Sequence, residues 1–514
     1  MILKPSIINV DVGENRAILS EKDARDLGVR SLDRVKLIAP ELSVTAIVGT
    51  SSTMVKEGSV GLMCAHECYA QLSSLQNIEI VPTTRPDSVE IIKKKMDGKV
   101  LTSPEVRTIV KDIVSHNLSD VELAAYIVST QIRGMNLDEV TELTKSMVET
   151  GTTIELDKHP IFDFHSIGGV PGNKITMLVV PIVAAAGLQI PKTCSRAISS
   201  ACGTADIFEV LANVSLSKQQ IKDITQSIGG VIAWGGYVNL APADDLIIRV
   251  EYPLSIDPYA QVIASVLAKK KAVGADYFLL DIPTGPHTKV PDFDLARRYA
   301  HDFIEVGRRL GIKVECAITY GGQPIGTHIG PALESREALM ALEGICQSTS
   351  VVEKGCSMAG LLLEMGGVAD GNGKDMAREI LTSGRALAKL REIIGAQGGN
   401  PDVKSGDIMP GKFQATIDSQ TEGYVTAINN KDLVKIARAA GAPKDKGAGL
   451  ILLKKRGHQV KRGEPVFEVY ADVEIKLDAA RKQAQRLTPI TVEGMVLERI
   501  PSRRTTIVDY TKTE

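Results

Sequence analysis

A chain of 514 residues is too long for one hydrophobic core, and its length fits about three or four domains. Its 44% apolar and 24% charged residues are those of an ordinary globular protein, and 60 basic against 62 acidic side chains leave a net charge of −2, with no global pull toward nucleic acid or an anionic membrane. Aromatics at 4%, with Trp234 the lone tryptophan, argue against stacking platforms for single-stranded nucleic acid, and seven cysteines spread along the chain make no disulfide framework.

Residues 1–85 alternate apolar and polar positions, as in "SIINVDV" and "RVKLIAP", with turn residues between, which predicts a small β-rich barrel domain. Lys4, Pro5 and Asp11 interrupt any signal-peptide core. The most apolar segment, residues 177–188, contains Pro181 and is shorter than the roughly 20 residues that span a bilayer. The expectation is a cytoplasmic protein without a membrane or nucleic-acid partner. Cys64-Ala-His66-Glu-Cys68 holds metal-ligand residue types without a second ligand pair, so it reads as buried thiols and no metal is expected.

"VPTTRPDS", residues 81–88, has the composition of a linker. Residues 86–151 then form a helical subdomain, with about 241–272 expected to join it. Three helix starts are readable: Ser103 before Pro104, Ser119 three before Glu122, and Asn136 three before Glu139. Ile109, Ile113 and Val114 recur at helical spacing. The lysine runs 93–95 and 269–271 read as solvated helix faces.

From 152 to 412 the pattern is strand, loop, helix, repeated, which predicts a larger α/β domain with a central sheet and ligand loops at the strands' carboxyl ends. "IFDFH" enters the loop "HSIGGVPGNK". That loop departs from the triphosphate-binding G-x-x-x-x-G-K-[ST], because Asn173 precedes Lys174 and Ile175 follows it, so no hydroxyl is left for Mg²⁺. Gly168 and Gly169 let the backbone approach an anion, Ser166 and Thr176 add hydroxyls, and Lys174 a charge. Without a ligand, the same residues make a tight strand-to-helix turn.

"IPKTC" enters a second loop with Arg196, Ser199, Ser200 and Thr204 around Cys202-Gly203, where a guanidinium and hydroxyls before a helix describe an anion cradle or, in part, helix caps. In "DPYAQVIASVLAKK", Asp257 reads first as an N-cap ahead of Pro258, and a carboxylate there also suits a general acid. Ser265 and Lys269 share a helix face. Lys289 reads as a surface lysine near the ligand loops. Residues 413–514 read as an α+β domain, with 460–470 like a biotinyl or lipoyl hairpin but no lysine in carrier context at its tip.

"DFHSIGGVPGNK", "SRAISSACGTAD" and "SIDPYAQVIASVLAKK", in this order and spacing, resemble the thymidine/pyrimidine nucleoside phosphorylase family, over residues 90–500 and most closely its archaeal branch. The resemblance implies a pentosyltransferase without metal or cofactor, in which inorganic phosphate attacks the anomeric carbon while the base departs. For that branch it implies cleavage of AMP, with CMP and UMP as further substrates, to free base and ribose 1,5-bisphosphate. Carried over, Gly169, Ser195, Arg196, Ala197, Ile198, Ser199, Ser200, Thr204, Ser265 and Lys289 would contact the nucleotide, and Asp257 would protonate the base. Ser166, Thr176 and His165 stand at the inorganic-phosphate site.

One position departs. Phe164 stands where the nucleoside-cleaving members have a lysine, which leaves the cation that holds phosphate unassigned. Alternatives are a pyrimidine nucleoside phosphorylase, or a non-catalytic nucleotide sensor on this fold. The family also implies a homo-oligomer, at least a dimer.

Overall fold

The computed structural model of the chain describes residues 1–496 except 11, 41, 64–70, 73, 198 and 199. Cys64, His66 and Cys68 lie outside the described residues, as do Ile198 and Ser199 of the second loop. Among the described residues, no helix is long and apolar enough to cross a membrane.

The alternating N-terminal segments close into a six-stranded barrel, in the order Ile2–Ile8, Ser59–Met63, Arg16–Ser20, Leu42–Ser51, Arg34–Ala39 and Ile78–Thr83, the last pairing back onto the first. Leu19, Val35, Leu37, Val60 and Leu62 fill its interior. The linker read at 81–88 is shorter than expected. Val81 pairs with Lys36 in the final barrel strand, and Ser88 already begins the helix Ser88–Met96.

Three more helices follow: Ser103–Val114, Asp120–Arg133 and Leu137–Glu149. Ser119 and Asn136 cap as expected, each in a reciprocal box with the glutamate three residues on. The first cap is Thr102 rather than Ser103: Glu105 accepts from the Thr102 N–H at 2.7 Å and from its hydroxyl at 2.8 Å. The lysine run 93–95 is a solvated face only in part, with Lys93 exposed. Lys95 is buried and pairs with buried Glu139 at 2.7 Å, which also accepts from the Leu101 N–H at 2.9 Å. Helices Pro242–Leu254 and Tyr259–Ala272 share one apolar core with these helices, through Ile247, Ile263 and Leu267 against Ile109, Tyr126 and Leu143.

The α/β body carries its strands in two parallel groups. Lys313–Tyr320, Tyr277–Thr284 and Phe162–Ser166 form one sheet, and Ile190–Cys194 with Gly230–Trp234 another, joined among the described residues by a bridge between Ile161 and Gln189. The expected continuous sheet breaks here for a local reason. The Phe164 N–H donates to the Asp163 carboxylate at 2.7 Å, and the Phe164 carbonyl accepts from the Lys192 ammonium. Both backbone groups that would meet the neighbouring strand are taken by side chains.

The C-terminal portion is α+β, and the α/β body contributes to it: His328–Ile329 edges the sheet of Gly449–Leu452, Pro465–Ala471 and Phe413–Asp418. The hairpin read at 460–470 does not form. Gln459–Val460 and Pro465–Ala471 lie in different sheets.

Candidate functional site

Strands Phe162–Ser166 and Tyr277–Thr284 run parallel, with Ser166 in register with Asp281, and both end at the same edge of the sheet. The loops that leave them therefore meet. Gly168 and Gly169 take left-handed backbone angles, φ +86° and +84°. A Cβ on Gly169 would stand 2.7 Å from the Lys289 N atom and 3.1 Å from its Cγ, so this glycine is the surface on which the Lys289 segment rests. From there the Lys289 ammonium donates to Asp257 at 2.9 Å. Gly169, Lys289 and Asp257, 120 positions apart at the extremes in no simple pattern, form one contact chain.

The N-cap expected of Asp257 is absent. Its helix begins at Tyr259 behind Pro258, without a side-chain cap, and Asp257 is half-exposed with Lys289 as its partner. Ser265 and Lys269 do share a face, and both donate to one carboxylate, Asp244, which is fully buried; the Ser265 bond is 2.8 Å. The lysine run 269–271 is thus largely internal, with Lys270 buried as well and paired with Asp163 at 2.8 Å.

In the first loop, Ser166 accepts from the Asn173 side-chain amide at 2.9 Å, and the Ile167 N–H donates to the Asp281 carbonyl at 3.0 Å. Thr176 is the buried first residue of the helix Thr176–Ala185. Lys174 is taken up by partners within the protein. Its fully buried ammonium donates to the carbonyls of Ile325 at 3.1 Å and His328 at 3.0 Å, and to Glu337. It ties the loop to the C-terminal side of the body.

His165 sits among cations. Burial first, then the ammoniums of Lys192, Lys270, Lys269 and Lys289, hold its imidazole well below its ordinary range, so it is neutral at pH 7. Lys192, Lys270 and Asp163 form a buried group directly behind it, two ammoniums on one carboxylate. Burial outweighs Asp163 and pushes Lys270 down to about 7.

In the second loop the Arg196 guanidinium, expected in an anion cradle, has protein partners of its own. Arg196 makes a bidentate pair with Glu209 at 2.8 and 2.5 Å, reaches Asp206 at 3.4 Å and lies 4.6 Å over the Trp234 ring. Those bonds hold the Glu209 carboxyl down to about 2. Asp206 draws the loop closed by accepting from the Ala197 N–H at 2.7 Å and the Gly203 N–H at 2.9 Å. Gly203 packs against the Ser195 carbonyl, where a Cβ would approach to 2.5 Å. Ser200 donates to the Cys202 carbonyl at 3.1 Å, and Thr204 opens the short helix Thr204–Phe208.

Sequence reading did not identify Asp163, Lys192, Asp206 and Asp244, which orient the loops. Their charges sit in apolar strands or helix starts, and that placement was the signal. Among the described residues, no cluster of His, Cys, Asp and Glu could hold a metal ion.

Comparison with known proteins aligns with this architecture. Residues 89–151 match the helical bundle domain of a glycosyl transferase family, residues 158–387 its a/b domain, and residues 424–491 the pyrimidine nucleoside phosphorylase C-terminal domain. The chain is 52% identical over 503 residues to an AMP phosphorylase of Methanosarcina mazei, covering 98% of this chain and 99% of that one. It is 53% identical over 498 residues to AMP phosphorylase 1 of Archaeoglobus fulgidus, covering 97% and 99%. An anthranilate phosphoribosyltransferase from Thermus thermophilus shares the fold, at a TM-score of 0.52 and 19% identity, covering 61% of this chain and 100% of that one.

Proposed function

The chain belongs to the AMP phosphorylase family, and from that premise we propose that it cleaves AMP with inorganic phosphate, using Asp257 as proton donor to the departing base. The products are adenine and ribose 1,5-bisphosphate. A phosphate oxygen bonds to the anomeric carbon, the glycosidic bond breaks, its electron pair leaves with the base, and a proton from Asp257 neutralises that base. CMP and UMP are further substrates on this reading.

The observation that carries it is the pair of Asp257 and Lys289 at 2.9 Å, resting on Gly169. A carboxylate locked to an ammonium cannot donate a proton. Transfer of Lys289 to the nucleotide frees Asp257, which is half-exposed, to take up a proton from water and pass it to the base. General-acid help of this kind is worth about 10²–10⁴-fold in rate. Positive charge develops on the ribose as the bond breaks, and phosphate held beside Ser166, Thr176 and His165 stabilises it. A neutral His165 suits that place as a hydrogen-bond donor. The positive charge absent at Phe164 is available from Lys192 and Lys270 behind the strand.

The second loop, Ser195 to Thr204 with Ser265 and Lys289, holds the nucleotide. Arg196 contributes by fixing the loop's shape. Exclusion of water as the helical part closes on the α/β body suppresses hydrolysis of AMP.

The test is incubation of the purified protein with AMP and phosphate, with and without EDTA, while free adenine is followed. Release of thymine from thymidine without adenine from AMP would favour a nucleoside phosphorylase. Binding of AMP without turnover of either would favour a sensor. Retention of Asp257, Ser265 and Lys289 together weighs against the sensor, which needs no acid.

A further inference from the structure

Helix Pro242–Leu254 presents two carboxyl groups to this site, seven residues and two turns apart on one face. Asp244, at the start, is fully engaged by Ser265, Lys269 and Gln261. Glu251, near the end, is not. It is 7% exposed, and among the described residues its Oε1 is buried without a hydrogen-bond partner. Buried carboxyl oxygens are almost always bonded, because an unmet one keeps the full cost of losing water.

Glu251 faces the proposed chemistry. The chain leaves its helix through Ser255, at φ +54°, and reaches Asp257 two residues later, with the Ile256 N–H donating back to the Glu251 carbonyl at 3.4 Å. The charged groups that act on Glu251 are Asp244 on its own helix, Asp257, Lys289 on the opposite loop, and Lys269 on the neighbouring helix. Two of these, Asp257 and Lys289, are the pair assigned above to the departing base and the nucleotide, and Lys269 stands with Ser265 on Asp244. Burial first, then Asp244 and Asp257, pushes the Glu251 carboxyl up to about 8, so it is neutral at pH 7 and offers one donor and one acceptor side by side.

Resting on the reading above, we propose that Glu251 is a specificity residue that hydrogen-bonds the ring-nitrogen and exocyclic-amine edge of the base. A neutral carboxyl donates its O–H to the ring nitrogen and accepts from the amine through its other oxygen. Adenine and cytosine both present that pair of groups. An ionised carboxylate offers only acceptors and loses the first bond.

The experiment measures equilibrium binding of AMP and of purine riboside 5′-monophosphate, which lacks the exocyclic amine, to wild type, Glu251→Leu and Glu251→Gln. Wild type should prefer AMP by about tenfold, the worth of one buried hydrogen bond. The preference should fall to near one in Glu251→Leu and persist in Glu251→Gln, whose amide offers the same donor and acceptor. AMP affinity of wild type should fall as pH rises through about 8, and that of Glu251→Gln should not.

An unchanged preference in folded Glu251→Leu overturns the proposal. If that variant does not fold, an identical pH dependence in Glu251→Gln and wild type overturns it. Because the readout is binding, Glu251 is tested whether or not AMP is turned over. Failure of wild type to release adenine counts against the proposed reaction alone.

Discussion

Lys289 donates to Asp257 across 2.9 Å, and the two residues come from different loops, 32 positions apart, with Gly169 packed directly beneath the Lys289 backbone. The pair is a stored state of the site. On the proposed reading Lys289 passes to the nucleotide, so substrate binding and release of Asp257 are one event. Asp257→Asn removes the proton while keeping the shape. It should lower the rate of adenine release from AMP by about 10²–10⁴-fold and leave AMP affinity within a few-fold, as measured by steady-state kinetics and equilibrium binding. Unchanged turnover would remove Asp257 as the acid.

Gly169 allows a second, independent check of that geometry. At φ +84°, alanine is strained by about 1–2 kcal/mol, and its methyl would stand 2.7 Å from the Lys289 N atom. Gly169→Ala should therefore displace the Lys289 segment and reduce kcat/KM for AMP by tenfold or more, while the melting temperature falls only slightly. Gly311, also at positive φ but with nothing within 4 Å, is the control: Gly311→Ala should leave kcat/KM unchanged.

Lys174 makes the opposite prediction. In the sequence it looks like a phosphate-loop lysine, yet its ammonium is buried against Glu337 and two carbonyls. Burial alone would raise the Glu337 carboxyl, but Lys174 and then His328 hold it well below the usual carboxylate range. Lys174→Met strands that carboxylate and should cost about 3–5 kcal/mol of stability. Calorimetry should show a lowered transition. The KM for phosphate of the protein that remains folded should not change, and a large rise would return Lys174 to the cradle.

Lys174 and Asp257 mark where the sequence was legible and where it was not. Strands, helix starts and loop positions follow local rules, so the boxes at Ser119 and Asn136 and the order of the βα units could be read directly. Charge pairing is set by neighbours far away in sequence. Glu337 for Lys174, Glu209 and Trp234 for Arg196, and Asp244 for Ser265 and Lys269 are tertiary partners with no local signature. Lysines that read as solvated faces at 95 and 270 are buried, and Lys269 is drawn inward onto Asp244, for the same reason. The break in the central sheet also depends on a side chain from another strand, Lys192 on the Phe164 carbonyl.

The group of Lys192, Lys270 and Asp163 behind His165 yields the last prediction, and it is asymmetric. Two buried ammoniums share one carboxylate, at 3.7 and 2.8 Å. Asp163→Asn leaves both without a counter-charge and should destabilise by about 3–5 kcal/mol. Lys270→Met leaves a one-to-one pair and should be far milder. The pH dependence separates the two lysines further. Burial depresses native Lys270 from 10.5 to about 7, whereas an unfolded lysine keeps its proton to about 10.5. Between those values the unfolded chain binds the extra proton, so this residue makes stability rise with pH across the window, and the effect vanishes above it. Melting temperatures of wild type and Lys270→Met at pH 7 and pH 9 should show a rise in wild type that is smaller in the variant. Equal changes in both would mean that Lys270 keeps its charge throughout, and the positive charge behind His165 would then be two units of ammonium rather than one at the upper end of that range.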